Sequence, residues 1–134
     1  MLYPTHVSKR RVLVVDDNPN TRRVVEDVLK LEGYEVEAAA DGVEALRKVG
    51  WQPPELIVLD LDMPRFDGMG VLQVLRMNEQ TKGIPILILT AEPAKEVEEK
   101  VRKMGADEFV QKGRDFNILV SRLKAMFEKI PQKS

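Results

Sequence analysis

Five short strand-like runs, three of them rich in β-branched and apolar residues, alternate strictly with five helix-patterned segments, and few folds can absorb that order. The runs are RVLVVD (11–16), EVEAA (35–39), LIVLD (56–60), PILILT (85–90) and the shorter EFVQK (108–112). Unbroken apolar runs of this length suit strands covered on both faces, as in a parallel sheet. Between them apolar residues recur at helical spacing: Val24, Val25, Val28, Leu29 and Leu31; Val43, Leu46 and Val49; Val71, Leu72 and Leu75. Two further sets are Val97, Val101 and Met104, then Ile118, Leu119, Leu123, Met126 and Phe127. Gly33, Gly50 with Pro53 and Pro54, Gly83 and Gly105 mark the breaks. Trp51, in the break GWQPPE, reads as a surface cover over the core. The alternation predicts an α/β fold: a doubly wound five-stranded parallel sheet flanked by five helices, joined by right-handed crossovers.

Composition narrows the class. A chain of 134 residues suits one domain with a moderate core. With no cysteine, disulfides and thiolate metal sites are excluded. A net charge of -1 offers no pull toward nucleic acid or anionic membranes. No apolar stretch approaches the roughly 20 residues that span a bilayer, and the N-terminus lacks the apolar core of a signal peptide. These features make a cytoplasmic domain the expectation, with no membrane insertion and no direct nucleic acid contact.

In doubly wound sheets ligands bind off the carboxyl ends of the strands. Four of the five runs end there in a residue able to do chemistry: Asp16 with Asp17, then Asp60, Thr90 and Lys112. The stretch ELIVLDLDMP is the most telling, because a buried apolar run meets two carboxylates, Asp60 and Asp62, before a proline. Three carboxylates in one pocket repel one another unless a cation sits among them. A hard divalent ion such as Mg²⁺ takes oxygen ligands and commonly bridges carboxylates to phosphate. With a lysine and a hydroxyl alongside, the set reads as a phosphoryl-transfer site. Each residue has a plainer reading alone. Asp16 and Asp17 could cap the next helix, although DDNPN offers Asn18 and Asn20 for that task. Thr90 could be an ordinary strand end, Lys112 a solvated cation and Asp60 the start of a turn. Four such coincidences at strand ends favour the joint reading.

The segments VLVVDDNPNTRRVV, LIVLDLDMPRFDG, PILILTA and GADEFVQK resemble, in order and spacing, the receiver domains of bacterial two-component response regulators, over about residues 11–129. The resemblance implies a flavodoxin-like, chemotaxis-regulator-like sheet of strand order 2-1-3-4-5. It divides the chain into an N-terminal arm (1–10), a receiver domain (11–130) and a tail (131–134). It implies Asp60 as phospho-acceptor and Asp17 as a direct ligand of Mg²⁺ (or Mn²⁺). Asp16 would bind the metal directly or through water, and the backbone carbonyl of Asp62 would complete the protein's share of the shell. Thr90 would bond the phosphoryl group and Lys112 would pair with it. In the family an inward step of the threonine lets an aromatic on the fifth strand, here Phe109, turn in. That reshapes a face of the fourth helix, fifth strand and fifth helix, here residues 95–104, Phe109 and residues 116–129. For Phe109, ordinary core packing is the alternative. A sensor histidine kinase or phosphotransfer protein is the implied donor, and an unspecified protein the downstream partner. A homodimer through the responsive face stays open, as does whether the chain is stand-alone or part of a longer protein.

Two departures from the family pattern matter. Gly113 replaces the proline that usually follows the lysine across a cis bond. A cis bond before a non-proline residue costs about 2.5–4 kcal/mol, so a trans Lys112–Gly113 bond and a looser loop through Arg114 are expected. Asp62 and Glu92, each two residues past a key position, add negative charge at the pocket mouth and are expected to modulate phosphoryl lifetime. Among rival functions, LDLDMP also resembles the nucleophile motif of haloacid dehalogenase-type phosphatases. That family puts its acidic metal pair after the lysine, whereas here Asp16 and Asp17 come first. A receiver-like scaffold that is never phosphorylated is the third reading.

Overall fold

The structure is a computed structural model that describes residues 9–63, 66–91, 95–113 and 115–131. The elements alternate without exception: β1 (Arg11–Val15), α1 (Pro19–Leu31), β2 (Glu35–Ala39), α2 (Gly42–Trp51), β3 (Leu56–Leu59), α3 (Gly68–Met77), β4 (Ile86–Thr90), α4 (Lys95–Lys103), β5 (Glu108–Gln111) and α5 (Phe116–Glu128). All strand pairings are parallel, and the strand order is β2-β1-β3-β4-β5. Both the fold class and the strand order are as the sequence implied.

The period-two alternation of strand side chains divides the core into two layers. Leu13, Val15, Ile57, Leu59, Ile86 and Ile88 face one side, where they meet Ala45 and Val49 of α2, Val71, Leu72 and Leu75 of α3, and Val101 of α4. Val12, Val14, Leu56, Val58, Leu87 and Leu89 face the other, against Val25 and Leu29 of α1 and Leu119, Leu123 and Phe127 of α5. Burial on both faces is why β3 and β4 read as continuous apolar runs.

Among the described residues, four helices start on side-chain caps: Asn18, Asp41, Asp67 and Asp115 each accept a backbone N–H of the first turn. Such a cap is worth about 1 kcal/mol, and Pro19 adds a pre-set φ to the start of α1. Because Asn18 takes the cap of α1, Asp17 is not used for it.

Several local expectations need correction. β1, β3 and β5 end one residue earlier than expected, so Asp16, Asp60 and Lys112 lie just beyond their strands. Trp51 is the last residue of α2 and is 88% exposed, so it covers nothing. The helix buries Gly42, Ala45 and Val49, and at about 100° per residue Trp51 lies some 200° around from Val49. For the same reason Val43 is exposed, as are Val24, Leu31 and Ile118 on their helices. Small residues let α2 sit close to its neighbours, and that closeness is a property of the packing.

Candidate functional site

One backbone hydrogen bond beyond each strand sets up the pocket. Asp16 N donates to Ala39 O at 3.1 Å, Asp60 N to Val15 O at 2.9 Å and Lys112 N to Thr90 O at 2.8 Å. Each chain thus stays in register for one more residue, and three charged side chains leave the sheet at the same rim. Asp16 and Asp60 are each 2% exposed, and Thr90, the last residue of β4, is fully buried. Asp17 is exposed at the mouth.

One carboxylate oxygen from each of Asp16, Asp17 and Asp60 lies within 4.8 Å of the others. Lys112 Nζ sits 2.7 Å from Asp16 Oδ2 and 3.3 Å from Asp60 Oδ2. Asp16 Oδ1 accepts Asn18 N at 2.9 Å, and Asp60 Oδ1 accepts a long bond from Asp62 N at 3.4 Å. Burial, followed by the charge of Asp16, pushes Asp60 up to about 6, with Lys112 and the Asp62 amide offsetting part of the effect. Burial alone would lower Lys112, but the hydrogen bond its ammonium donates to Asp16 and the charges of both acids raise it. The ammonium is therefore held charged. One cation against three carboxylates leaves excess negative charge on hard oxygen donors, a donor set that fits a divalent ion such as Mg²⁺ or Mn²⁺.

The remaining predicted positions are distributed as follows. Thr90 pairs in register with Gln111, which brings it alongside Lys112. Asp62 is exposed beside Asp60. Phe109 pairs in register with Ile88 and packs, half-buried, against the α2–α3–α4 layer. The peptide before Gly113 is trans and Gly113 has φ +82°, a left-handed conformation closed to proline. Glu92 and Arg114 lie outside the described residues.

Two residues that shape the pocket escape notice in the sequence. Gly68 begins α3 and donates its N–H to Leu61 O at 3.0 Å. A Cβ there would stand 2.1 Å from Asp60 O and 2.7 Å from Leu61 Cα, so only glycine lets the chain return against the backbone of Asp60. The dipeptide Asp67–Gly68 is its one sequence signal. Arg22, on α1, donates from Nη1 to Asp16 O at 2.8 Å. A basic residue in the first turn of a helix, the end that disfavours cations, is the hint available there.

Where α4, β5 and α5 meet, Glu108 Oε1 accepts from Arg102 of α4 at 3.0 Å, Arg122 of α5 at 3.0 Å and the Phe109 amide at 3.1 Å. Burial would raise Glu108, but these donors, the Arg102 bond foremost, hold it below the usual glutamate value.

Comparison with known proteins agrees with this geometry. The family described as response regulator receiver domain matches residues 12–124. The transcriptional regulator RpaA of Synechocystis is 35% identical over 127 residues, 91% of this chain and 52% of that protein. The regulatory protein PrrA of Mycobacterium leprae is 39% identical over 127 residues, 93% of this chain and 53% of that protein. The chain thus spans about half the length of these curated relatives. Among solved structures, chemotaxis protein CheY4 of Vibrio cholerae superposes with a TM-score of 0.83 at 36% identity, covering 88% of this chain and 98% of that one. TrrA of Thermotoga maritima, solved in complex with Mg(2+)-BeF, gives 0.78 at 35% identity, covering 87% and 98%. A match across nearly the whole sheet, together with an acidic rim in the expected place, places the chain in the response regulator receiver domain family.

Proposed function

We propose that this receiver domain is a Mg²⁺-dependent phosphorelay switch in which Asp60 accepts a phosphoryl group. The observation that carries the reading is a buried Asp60 carboxylate placed beside both a second acid and the Lys112 ammonium. An Asp60 oxygen forms a bond to phosphorus as the bond from phosphorus to the donor's leaving atom breaks. The electron pair departs with the donor, an imidazole nitrogen of a sensor histidine kinase or phosphotransfer protein, or the acyl oxygen of a small phosphodonor. Asp17, Asp60, the Asp62 carbonyl, and Asp16 directly or through water would hold the metal, which when bound neutralises charge on the phosphoryl oxygens. Lys112 pairs with the phosphoryl group from the other side, and the Thr90 hydroxyl bonds it. Phe109 follows Thr90 inward, and the face of α4, β5 and α5 changes to control a partner.

Self-catalysed transfer and autodephosphorylation belong to this reading, with Asp62 and Glu92 as modulators of lifetime. RpaA and PrrA are named as transcriptional regulators, so control of transcription is the output class they suggest. The domain's own contacts are read as protein contacts, with a homodimer through the α4, β5 and α5 face as one form. A cytoplasmic location and a domain extending over residues 11–130, between a short arm and a tail, complete the reading. Intact mass after incubation with acetyl phosphate and Mg²⁺ tests it. One added phosphoryl group is expected on the parent and none on Asp60→Ala; equal labelling of the two would move the acceptor elsewhere.

A further inference from the structure

We propose that Arg22 is a positioning residue for the divalent cation of the acidic pocket, an inference that rests on the reading of that pocket as a metal site. Arg22 lies in the first turn of α1, where its N–H makes a helical bond to Asn18 O at 2.9 Å. A cation there faces the positive end of the helix dipole. What the guanidinium gains instead is a 2.8 Å hydrogen bond to the carbonyl of Asp16. That carbonyl belongs to the peptide joining Asp16 to Asp17. Its orientation sets the directions in which the two carboxylates leave the chain.

The Asp16 side is already tied, by its N–H to Ala39 O and by its carboxylate to Asn18 N and Lys112 Nζ. Asp17 has no such tie among the described residues: it is exposed and takes no part in the cap of α1. Aiming the Asp17 carboxylate therefore falls to the peptide that Arg22 holds. Partners that orient a metal ligand from behind are commonly worth a factor of ten or more in affinity.

Charge and geometry make opposite predictions, which renders the role testable. A guanidinium beside a cation site repels the cation, so removing it should tighten binding if charge were all that mattered. If Arg22 positions the acids, removing it should weaken binding. The experiment is isothermal titration of Mg²⁺ into the full chain at pH 8 for the parent, Arg22→Met, Arg22→Lys and Arg23→Met. The last variant removes a neighbouring exposed charge and serves as the electrostatic control. Arg22→Met is expected to weaken Mg²⁺ binding about tenfold, Arg22→Lys to recover part of the loss, and Arg23→Met to leave affinity unchanged or slightly tighter. Equal or tighter binding by Arg22→Met overturns the inference while leaving the pocket reading intact. If Arg22→Met does not fold by circular dichroism, Arg22→Lys decides, and a weakening below about twofold counts against the role. A folded parent that takes up no Mg²⁺ at millimolar concentration removes the pocket reading and the inference with it.

Discussion

The ammonium of Lys112 lies 2.7 Å from Asp16 Oδ2, closer than its approach to Asp60. In this arrangement the lysine's nearer partner is Asp16, one of the three acids that lie close enough together to share a metal ion. On the proposed metal reading, a divalent ion held by these acids would compete with the Lys112 ammonium for Asp16 and would leave the lysine available to phosphoryl oxygens.

Lys112→Met is accordingly expected to bind Mg²⁺ about three- to tenfold more tightly than the parent at pH 8, because a competing charge within ion-pair distance is gone. The same variant should be slower in acetyl phosphate labelling, since the cation proposed to face the phosphoryl group is lost. Titration calorimetry and intact-mass time courses measure the two effects. Weaker Mg²⁺ binding by the variant would contradict the competition.

Metal-free stability should depend on the ionisation of Asp60. Its folded value of about 6 lies above the ordinary 3.8. Between those values the folded chain holds a proton that the unfolded chain has released, so stability falls as pH rises through the window. Above pH 6 the cost is fully present, at up to about 3 kcal/mol. Asp60→Asn carries no such cost. Urea unfolding in EDTA should find it about 1–3 kcal/mol more stable than the parent at pH 7.5, with the gap closing toward pH 4.

Glu108 has the opposite sign. Its folded value is depressed by the two arginines and the Phe109 amide. The stabilisation it contributes is present above its unfolded value and is lost as pH falls through its folded one. Glu108→Gln should cost about 1 kcal/mol at pH 7, the scale of a partly exposed ion-pair network, and almost nothing near pH 3. Parallel thermal melts of parent and variant at the two pH values test this, and a cost that does not change with pH would refute the ionic account.

Gly68→Ala should be among the most damaging small substitutions at the rim. The three atoms nearest the added methyl are all backbone, at 2.1 Å for Asp60 O and 2.7 Å for Leu61 Cα, and backbone yields less easily than a flexible side chain. Overpacking of this kind costs about 1–3 kcal/mol, and the shift falls on the loop that carries Asp60. Loss of both stability and acetyl phosphate labelling is expected; a variant that labels like the parent would show that the loop relaxes freely.

The site was more legible in the sequence than its supports were. Asp60 and Thr90 stand out because each closes an apolar run, and Lys112 because it ends the last strand-like segment; parallel strands bring such ends to one rim. Asn18 and Asp17 show where local reading stops: either could cap α1, and the choice rests on the turn in which the Asn18 carboxamide receives Asn20 N and Thr21 N. Trp51 departs from its expected place because a large aromatic suggests burial, whereas its exposure depends on which face of α2 meets the sheet. That face is formed by Gly42, Ala45 and Val49, of which the first two carry little hydrophobic signal of their own.

By itself the sequence determined the element order, the parallel sheet and the identity of the charged rim, since period-two and helical patterns and strand-end residues are properties of neighbours along the chain. The tertiary structure alone decided that Lys112 sits nearer Asp16 than Asp60, that Arg22 holds the Asp16 carbonyl, and that Gly68 lies against the Asp60 backbone. These are contacts between segments far apart in the chain or tightly folded around a turn, and their distances come from packing, which no local pattern encodes.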